Sequence, residues 1–393
     1  MAKLKDSLIF KLILGVVVGL IIGLYCNERV IGVINSIKFI LGQLINFIVP
    51  LIILGFIAPA ITKMKSNASK MLGTMLGLAY ISSVGAAFFS MIAGYTLIPK
   101  LHIQPTVEGL KHLPKLIFKV EIPPVFSVMT ALVLALCLGL AVVWTQSKQF
   151  ESLLDEFNNI MLKIVYAIII PILPFFIAAT FATLAYEGGI TKQFPVFVKV
   201  IIIVLIGHYI WLALLYTIGA IVSKRNAIKL LKSYIPAYLT AVGTMSSAAT
   251  LPVALSCAKK SGVLDEDIAD FAVPLGSTVH LCGSVLTEVF FVMTVSKILY
   301  GQVPELGTMV LFIILLGIFA IGAPGVPGGT VMASLGIIIS VLGFDDNGTA
   351  LMLTIFALQD SFGTACNVTG DGALALMLNG IFDKEVKKEK ATN

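Results

Sequence analysis

The sequence predicts an all-α integral membrane protein with eight transmembrane helices and two re-entrant helical hairpins. Three observations predict it. Of 393 residues, 58% are hydrophobic and only 12% are charged, and the mean hydropathy is +1.01, a balance outside the range of water-soluble domains. Apolar stretches long enough to cross a bilayer, which takes about 20 helical residues, recur along the chain. Late in the sequence, two further apolar stretches are each cut in the middle by glycine, proline and small polar residues.

In chain order, spanning stretches lie near 8–26, 30–62, 68–98, 119–147, 157–186 and 193–223. Lys3 and Lys5 precede the first, but no small-residue cleavage site follows it, so it reads as a retained helix and not as a removed signal. Several spans exceed the minimum length, which predicts tilt. Lysines gather at Lys3/Lys5, at Lys63/Lys65/Lys70, at Lys224/Lys229/Lys232 with Arg225, and at Lys384/Lys387/Lys388/Lys390. Basic loops favour the cytoplasmic side, so both termini are expected to be cytoplasmic in a multi-pass protein of the cell membrane, plasma or inner. One loop opposes this: Lys100, Lys111, Lys115 and Lys119 would then lie outside. The net charge of +6 fits loops facing lipid headgroups, and no nucleic-acid partner is expected. The five cysteines include no Cys-x-x-Cys pair, so neither a disulfide framework nor a zinc site is indicated.

Beyond Lys224 the apolar segments shorten. The first hairpin, about 228–261, is interrupted at Thr244–Pro252, and the second, about 305–342, at Gly322–Thr330. Proline and glycine at this density cannot continue a helix. Broken backbone at membrane depth survives only where protein or a wet cavity supplies partners, so each segment reads as a hairpin whose tip stops within the bilayer. After each hairpin comes a span with a polar interior, first Pro274 to Glu288 and then Asp360 to Asp371. A pair of interrupted segments in corresponding positions points to inverted repeats with a substrate site between them.

The last span carries the chemistry. Asp360, Thr364, Asn367 and Asp371 are spaced four, three and four apart, which places two carboxylates, a hydroxyl and an amide along one helical stripe. Apolar residues flank the stripe on both sides, and no lysine or arginine lies between Leu358 and Ile381. Carboxylates at such depth are costly, and the default reading is an ion or substrate pathway. Blander readings exist. Asn367 would serve as a packing amide, Thr364 as a hydroxyl bonded to its own helix, Ser246 and Ser247 as caps of a hairpin arm, and Gly325 to Gly329 as a plain turn.

Four motifs then carry a family likeness: Ser246-Ser247-Ala248-Ala249-Thr250-Leu251-Pro252-Val253, Pro274-Leu275-Gly276-Ser277-Thr278, Gly325-Val326-Pro327-Gly328 and Asn367-Val368-Thr369-Gly370-Asp371. In this order and at this spacing they resemble the dicarboxylate/amino acid:cation symporters, the glutamate-transporter family. The resemblance implies an elevator-type homotrimer. Its scaffold would comprise helices 1 and 2 (1–66) and helices 4 and 5 (119–190). Its mobile transport domain would comprise helix 3 (67–100) and residues 191–393, which hold helix 6, both hairpins and helices 7 and 8. It also implies that Asp360 holds a substrate ammonium and that Thr364 adds a contact. Gly363 and Asn367 would also line the substrate site, and Asn367 and Asp371 would form a Na+ site completed by carbonyls near Gly276. The substrate carboxylate would meet the hairpin tips around Ser246, Ser247, Val326 and Gly328, with Gly325, Pro327 and Gly329 forming the gate. Hard monovalent cations favour such oxygen donors.

The departures narrow the substrate. Where acidic-substrate members carry an arginine three residues after the ammonium-binding acid, this chain has Gly363; two further positions that can hold that arginine are Met245 and Phe356. Burying a second carboxylate without a cation would cost several kcal/mol, so a neutral amino acid is expected, as in the serine/threonine-type members, with Gly363 leaving extra room for a larger side chain. His280-Leu281-Cys282-Gly283 stands where the family reads Asn-Met-Asp-Gly, which removes an amide and a carboxylate from another sodium site and leaves the hydroxyls of Ser82 and Ser83. Ala320 and Ala323 weaken a further one. Glu288 falls where proton-coupled members carry a titrating glutamate, and His280 can titrate near neutral pH. Fewer sodium ions, with H+ coupling through Glu288 and His280, are therefore expected. Two alternatives stay open: a symporter for acidic amino acids or dicarboxylates, and an ion-conducting protein of the same fold. An enzyme is disfavoured, because the four histidines are scattered and no nucleophile–base or metal spacing appears.

Overall fold

The computed structural model describes residues 8–63, 70–101, 103, 112–126, 128–323, 325 and 327–392. Val326, Pro324 and the loop lysines Lys3, Lys5, Lys65 and Lys111 lie outside the described residues. All described secondary structure is helical. The helices are α1 Leu8–Tyr25, α2 Glu28–Lys63, α3 Lys70–Leu97, α4 Val128–Thr145, α5 Lys148–Ile164, α6 Ile170–Glu187 and α7 Gly189–Ser223. After them come α8 Ala227–Ser233, α9 Ile235–Thr244, α10 Ser247–Lys260, α11 Glu266–Val279, α12 Cys282–Tyr300, α13 Leu306–Gly322, α14 Gly329–Ser340 and α15 Asp346–Thr392. By length and composition, five stretches among the described residues are apolar enough to cross a membrane: Glu28–Pro59, Lys70–Leu101, Lys148–Glu187, Val196–Ser223 and Glu266–Tyr300.

Small residues set a close helix crossing. Gly15, Gly19 and Gly23 recur every fourth residue on α1 and lie on the α6 backbone. A β-carbon at Gly15 would sit 2.6 Å from the Pro174 carbonyl oxygen, and Gly19 and Gly23 approach the Ala178 and Ala182 carbonyl oxygens more closely still. In lipid, where apolar side chains gain little from leaving the solvent, such backbone contact is what holds helices together.

Three of the expected spans differ in detail. The fourth begins at Val128 and not near 119, because Pro123 and Pro124 bar a helix there. Residues 112–126 instead cross α2 as an extended strap. Asn35 Nδ2 donates to the Pro114 carbonyl at 3.1 Å, Ser36 Oγ accepts from Ile117 N–H at 2.9 Å, and Gln43 Oε1 accepts from Ile122 N–H at 3.4 Å. The fifth span begins earlier, at Lys148, with a charged and amphipathic α5. A π-turn at Val165–Ile169 joins it to α6, next to Pro171, which lacks the N–H that a regular helix would use. The seventh is two helices, α11 and α12, separated by His280 and Leu281 in non-helical conformation.

Both interrupted segments fold back as the sequence predicts. The first pairs α9 with α10 around Met245, whose φ is +53°, and the second pairs α13 with α14 around Gly325, Pro327 and Gly328. The unbroken α15, 47 residues long, packs against α7, α9, α11 and α12.

A clasp ties α7, α11 and α15 together at the end where α7 stops. Arg225 donates to the Val263 carbonyl at 2.7 Å, to both Asp265 oxygens at 2.9 Å and to Asp383 Oδ2 at 2.7 Å. Asn379 adds a contact to the Asp265 backbone N–H at 2.9 Å. The Arg225 hydrogen bonds hold the Asp265 carboxyl below the usual carboxylate range. Exposed pairs of this kind are worth at most about 1 kcal/mol, so Arg225→Ala should lower the midpoint of thermal unfolding by about 2 °C. Because the Asp265 value is lowered in the fold, its stabilisation is present at neutral pH and lost as pH falls through that lowered value. Unfolding curves of wild type and variant should converge on acidification.

Candidate substrate and cation site

The two hairpin tips and the middle of α15 meet at one place. Ser246 caps α10 by accepting from Ala249 N–H at 3.2 Å and donates to the Gly325 carbonyl at 2.6 Å, so the two tips touch. Ala248 N–H reaches the same carbonyl at 3.4 Å, and a β-carbon on Gly325 would meet Ser277 O at 3.2 Å and Ser247 Cβ at 3.4 Å. Gly328, at φ +71°, begins α14 and donates its N–H to Asp360 Oδ2 at 2.6 Å. Only glycine adopts that backbone without strain. Thus Ser246, Ser247, Gly325, Gly328 and Asp360 are brought together. The starts of α10 and α14, helix ends of the kind that favour anions, converge on the same place. Pro327 and Gly329 flank Gly328 in the second tip, and Thr364 is buried one turn below Asp360.

Asp360 and Asp371 are only 3% and 1% exposed, and no lysine or arginine among the described residues reaches them. Among the described residues the one buried lysine or arginine is Lys38. It bonds Asn347 at 3.1 Å and Thr183 at 3.4 Å, at the far end of α15.

The break between α11 and α12 supplies the other half of the site. Asn367 Oδ1 accepts from Gly283 N–H at 2.8 Å and from Ser284 N–H at 3.1 Å, while its Nδ2 donates to Ser284 Oγ at 2.9 Å. Its amide therefore caps α12, satisfying donors that a helix start leaves open. Asp371 Oδ1 accepts from His280 Nδ1 at 2.9 Å, and His280 Nε2 pairs with Ser82 Oγ at 2.9 Å. The Gly276 carbonyl accepts His280 N–H at 2.9 Å, and a β-carbon on Gly276 would sit 2.9 Å from Asp371 Cγ, so Gly276 and Asp371 are neighbours.

Gly363 faces α12. A β-carbon there would lie 3.3 Å from Ser284 Oγ and 3.4 Å from Ser284 Cα. On the α12 side of Gly363, a side chain grown from this residue would therefore press on Ser284.

Glu288 is fully buried on α12 and accepts from Ser334 Oγ of α14, while its Oε2 has no partner among the described residues. His280 bonds elsewhere, to Asp371 and Ser82. Sequence reasoning missed Ser334, a lone hydroxyl in an apolar hairpin arm. It also missed His208 of α7, whose Nε2 lies 3.0 Å from the Gly283 carbonyl and 2.9 Å from Thr287 Oγ1. The signal for His208 was its position as a lone imidazole in the apolar sixth span.

Comparisons with known proteins point to one family. A model of the sodium:dicarboxylate symporter family matches residues 8–381. A putative sodium-dependent excitatory amino acid transporter, glt-4 of Caenorhabditis elegans, is 26% identical over 67% of this chain and 53% of that protein. A second from the same organism, glt-6, is 31% identical over 43% of this chain and 31% of its own length. Human excitatory amino acid transporter 1 is 25% identical over 65% of this chain and 47% of its own. The matched region thus spans about half the length of these relatives or less.

Proposed function

The chain belongs to the sodium:dicarboxylate symporter family, and from that premise we propose that it couples uptake of a neutral amino acid to the Na+ gradient. The single observation that carries the substrate class is that, among the described residues, no lysine or arginine side chain reaches the site. A second carboxylate buried beside Asp360 would stay unpaired, a cost of several kcal/mol. On this reading Asp360 and Thr364 bind the ammonium end. The hairpin tips around Ser246, Ser247, Val326 and Gly328 receive the carboxylate, with Gly325, Pro327 and Gly329 as the gate.

One Na+, as cargo, is held by Asp371 with the main-chain carbonyl oxygens of Gly276 and Asn367. Carbonyl oxygens have two lone pairs, so the Gly276 carbonyl can accept His280 N–H and still face a cation. What supports the mobile and fixed parts is the packing. α1 lies on α6 and α2 on α4, whereas α15 gathers α7, α9, α11 and α12, and α3 lies on α12. The first group would be the scaffold of a homotrimer and the second the elevator that carries the site across a cell membrane with both termini cytoplasmic. That arrangement has eight spans and two hairpins.

H+ coupling is assigned to Glu288, whose contact with Ser334 links its charge to the second hairpin. The test is uptake into liposomes of labelled neutral and acidic amino acids under separate Na+ and pH gradients. Neutral substrates should accumulate with Na+, and glutamate or aspartate should neither accumulate nor compete. Preferential uptake of acidic substrates, which the names of the relatives favour, would replace the neutral reading. Glu288→Gln should abolish the response to an imposed pH gradient while Na+-driven uptake persists. An unchanged response would remove the proton.

A further inference from the structure

On the α3 side of Asp371, an oxygen-rich position is already occupied by the chain itself. Ser82 Oγ, Ser83 Oγ and the Asp371 carboxylate converge on the α11–α12 break, a donor set suited to a hard monovalent cation. Each is taken up by a protein group. His280 Nε2 meets Ser82, Leu281 N–H donates to Ser83 Oγ at 3.4 Å, and His280 Nδ1 meets Asp371. The ring is wedged in place: a β-carbon on Gly370 would lie 2.9 Å from His280 Cε1 and 3.1 Å from Cys282 Sγ. His280, Ser83 and Asp371 are no more than 1% exposed, and Ser82 is 6% exposed.

We propose that the His280 imidazole is the resident occupant of this second cation position, so that the protein moves one Na+ fewer per cycle than its oxygen ligands would otherwise allow. The ring makes the two contacts that a cation would make, to a hydroxyl and to a carboxylate, and it does not travel. Replacing it by an amide, and the adjacent Cys282 thiol by a carboxylate, should empty the position and line it with oxygen.

This inference rests on the reading of the chain as a Na+-coupled transporter, and the experiment separates the two. The Na+:substrate ratio is measured in liposomes from the Na+ gradient that just cancels uptake, for wild type and for His280→Asn/Cys282→Asp. Thermal unfolding of the purified proteins is followed in parallel in NaCl and in choline chloride. The expected result is a ratio higher by one in the double variant and a larger Na+-dependent rise in its unfolding temperature. Equal ratios and equal Na+-dependent stabilisation would overturn the inference. If wild type shows no Na+-driven uptake, the proposed function fails, and Na+-dependent unfolding alone decides whether the ring fills a cation site. Should the double variant not fold, Ser82→Ala decides. A change of less than about threefold in apparent Na+ affinity supports the inference, and a loss of about tenfold or more, about 1.4 kcal/mol, marks Ser82 as a cation ligand and overturns it.

Discussion

Saturable uptake by an Asp360→Asn protein is expected to fall by about 100-fold or more. Asparagine keeps the size of the side chain and an oxygen that can still accept Gly328 N–H, which Asp360 holds at 2.6 Å, so the hairpin and α15 stay in register. What is lost is the negative charge. An ammonium placed at this depth without a counter-charge costs about 3–5 kcal/mol, and each 1.4 kcal/mol is about tenfold in affinity. Uptake of labelled amino acid into liposomes, with equal amounts of folded protein verified by gel filtration, measures the effect. Wild-type affinity in the variant would remove Asp360 from the ammonium site and leave it as a tether for the second hairpin.

Gly19→Leu is expected to be the most damaging change outside the site. The β-carbon would run into the Ala178 carbonyl oxygen and the Phe181 side chain, and backbone cannot yield as a flexible side chain does. Overpacking costs about 1–3 kcal/mol even where neighbours relax. Here the glycine lies in the middle of a three-glycine contact, so α1 would have to leave α6. A fall in unfolding temperature of roughly 5–10 °C, or loss of folded protein altogether, is the expected readout. Leu14→Ala, on the same helix but half exposed, should shift it by about 1 °C or less, since exposed positions change stability by about 0.5 kcal/mol or less. Equal behaviour of the two variants would show that the α1–α6 contact is dispensable.

The spans and hairpins were legible because hydropathy and proline or glycine interruptions are local properties of the chain. Where the reading slipped, a local signal had been outweighed. The apolar character around 119–127 hid Pro123 and Pro124, and the charged face of α5 hid a helix continuous with the next span. The stripe on α15 was legible from its four-three-four spacing alone. Its partners were not. Asn367 reaches Gly283 across 84 residues, Asp371 reaches His280 across 91 and Glu288 reaches Ser334 across 46. No periodicity reports such pairings. The same blindness hid that Gly363 faces Ser284 of another helix. Neither could the sequence reveal that His280 spends both ring nitrogens on neighbours, Ser82 on one side and Asp371 on the other.

The unbroken course of α15 sets a limit on how the two ends of the site communicate. Asp360 and Asp371 are eleven residues apart on one rigid rod, about 16 Å along its axis at 1.5 Å per residue. That interval acts as a fixed ruler: neither acid can slide toward the other when one becomes occupied. Any energetic link between amine and metal must run through what leans on the rod, chiefly the second hairpin at one mark and the α11–α12 break at the other.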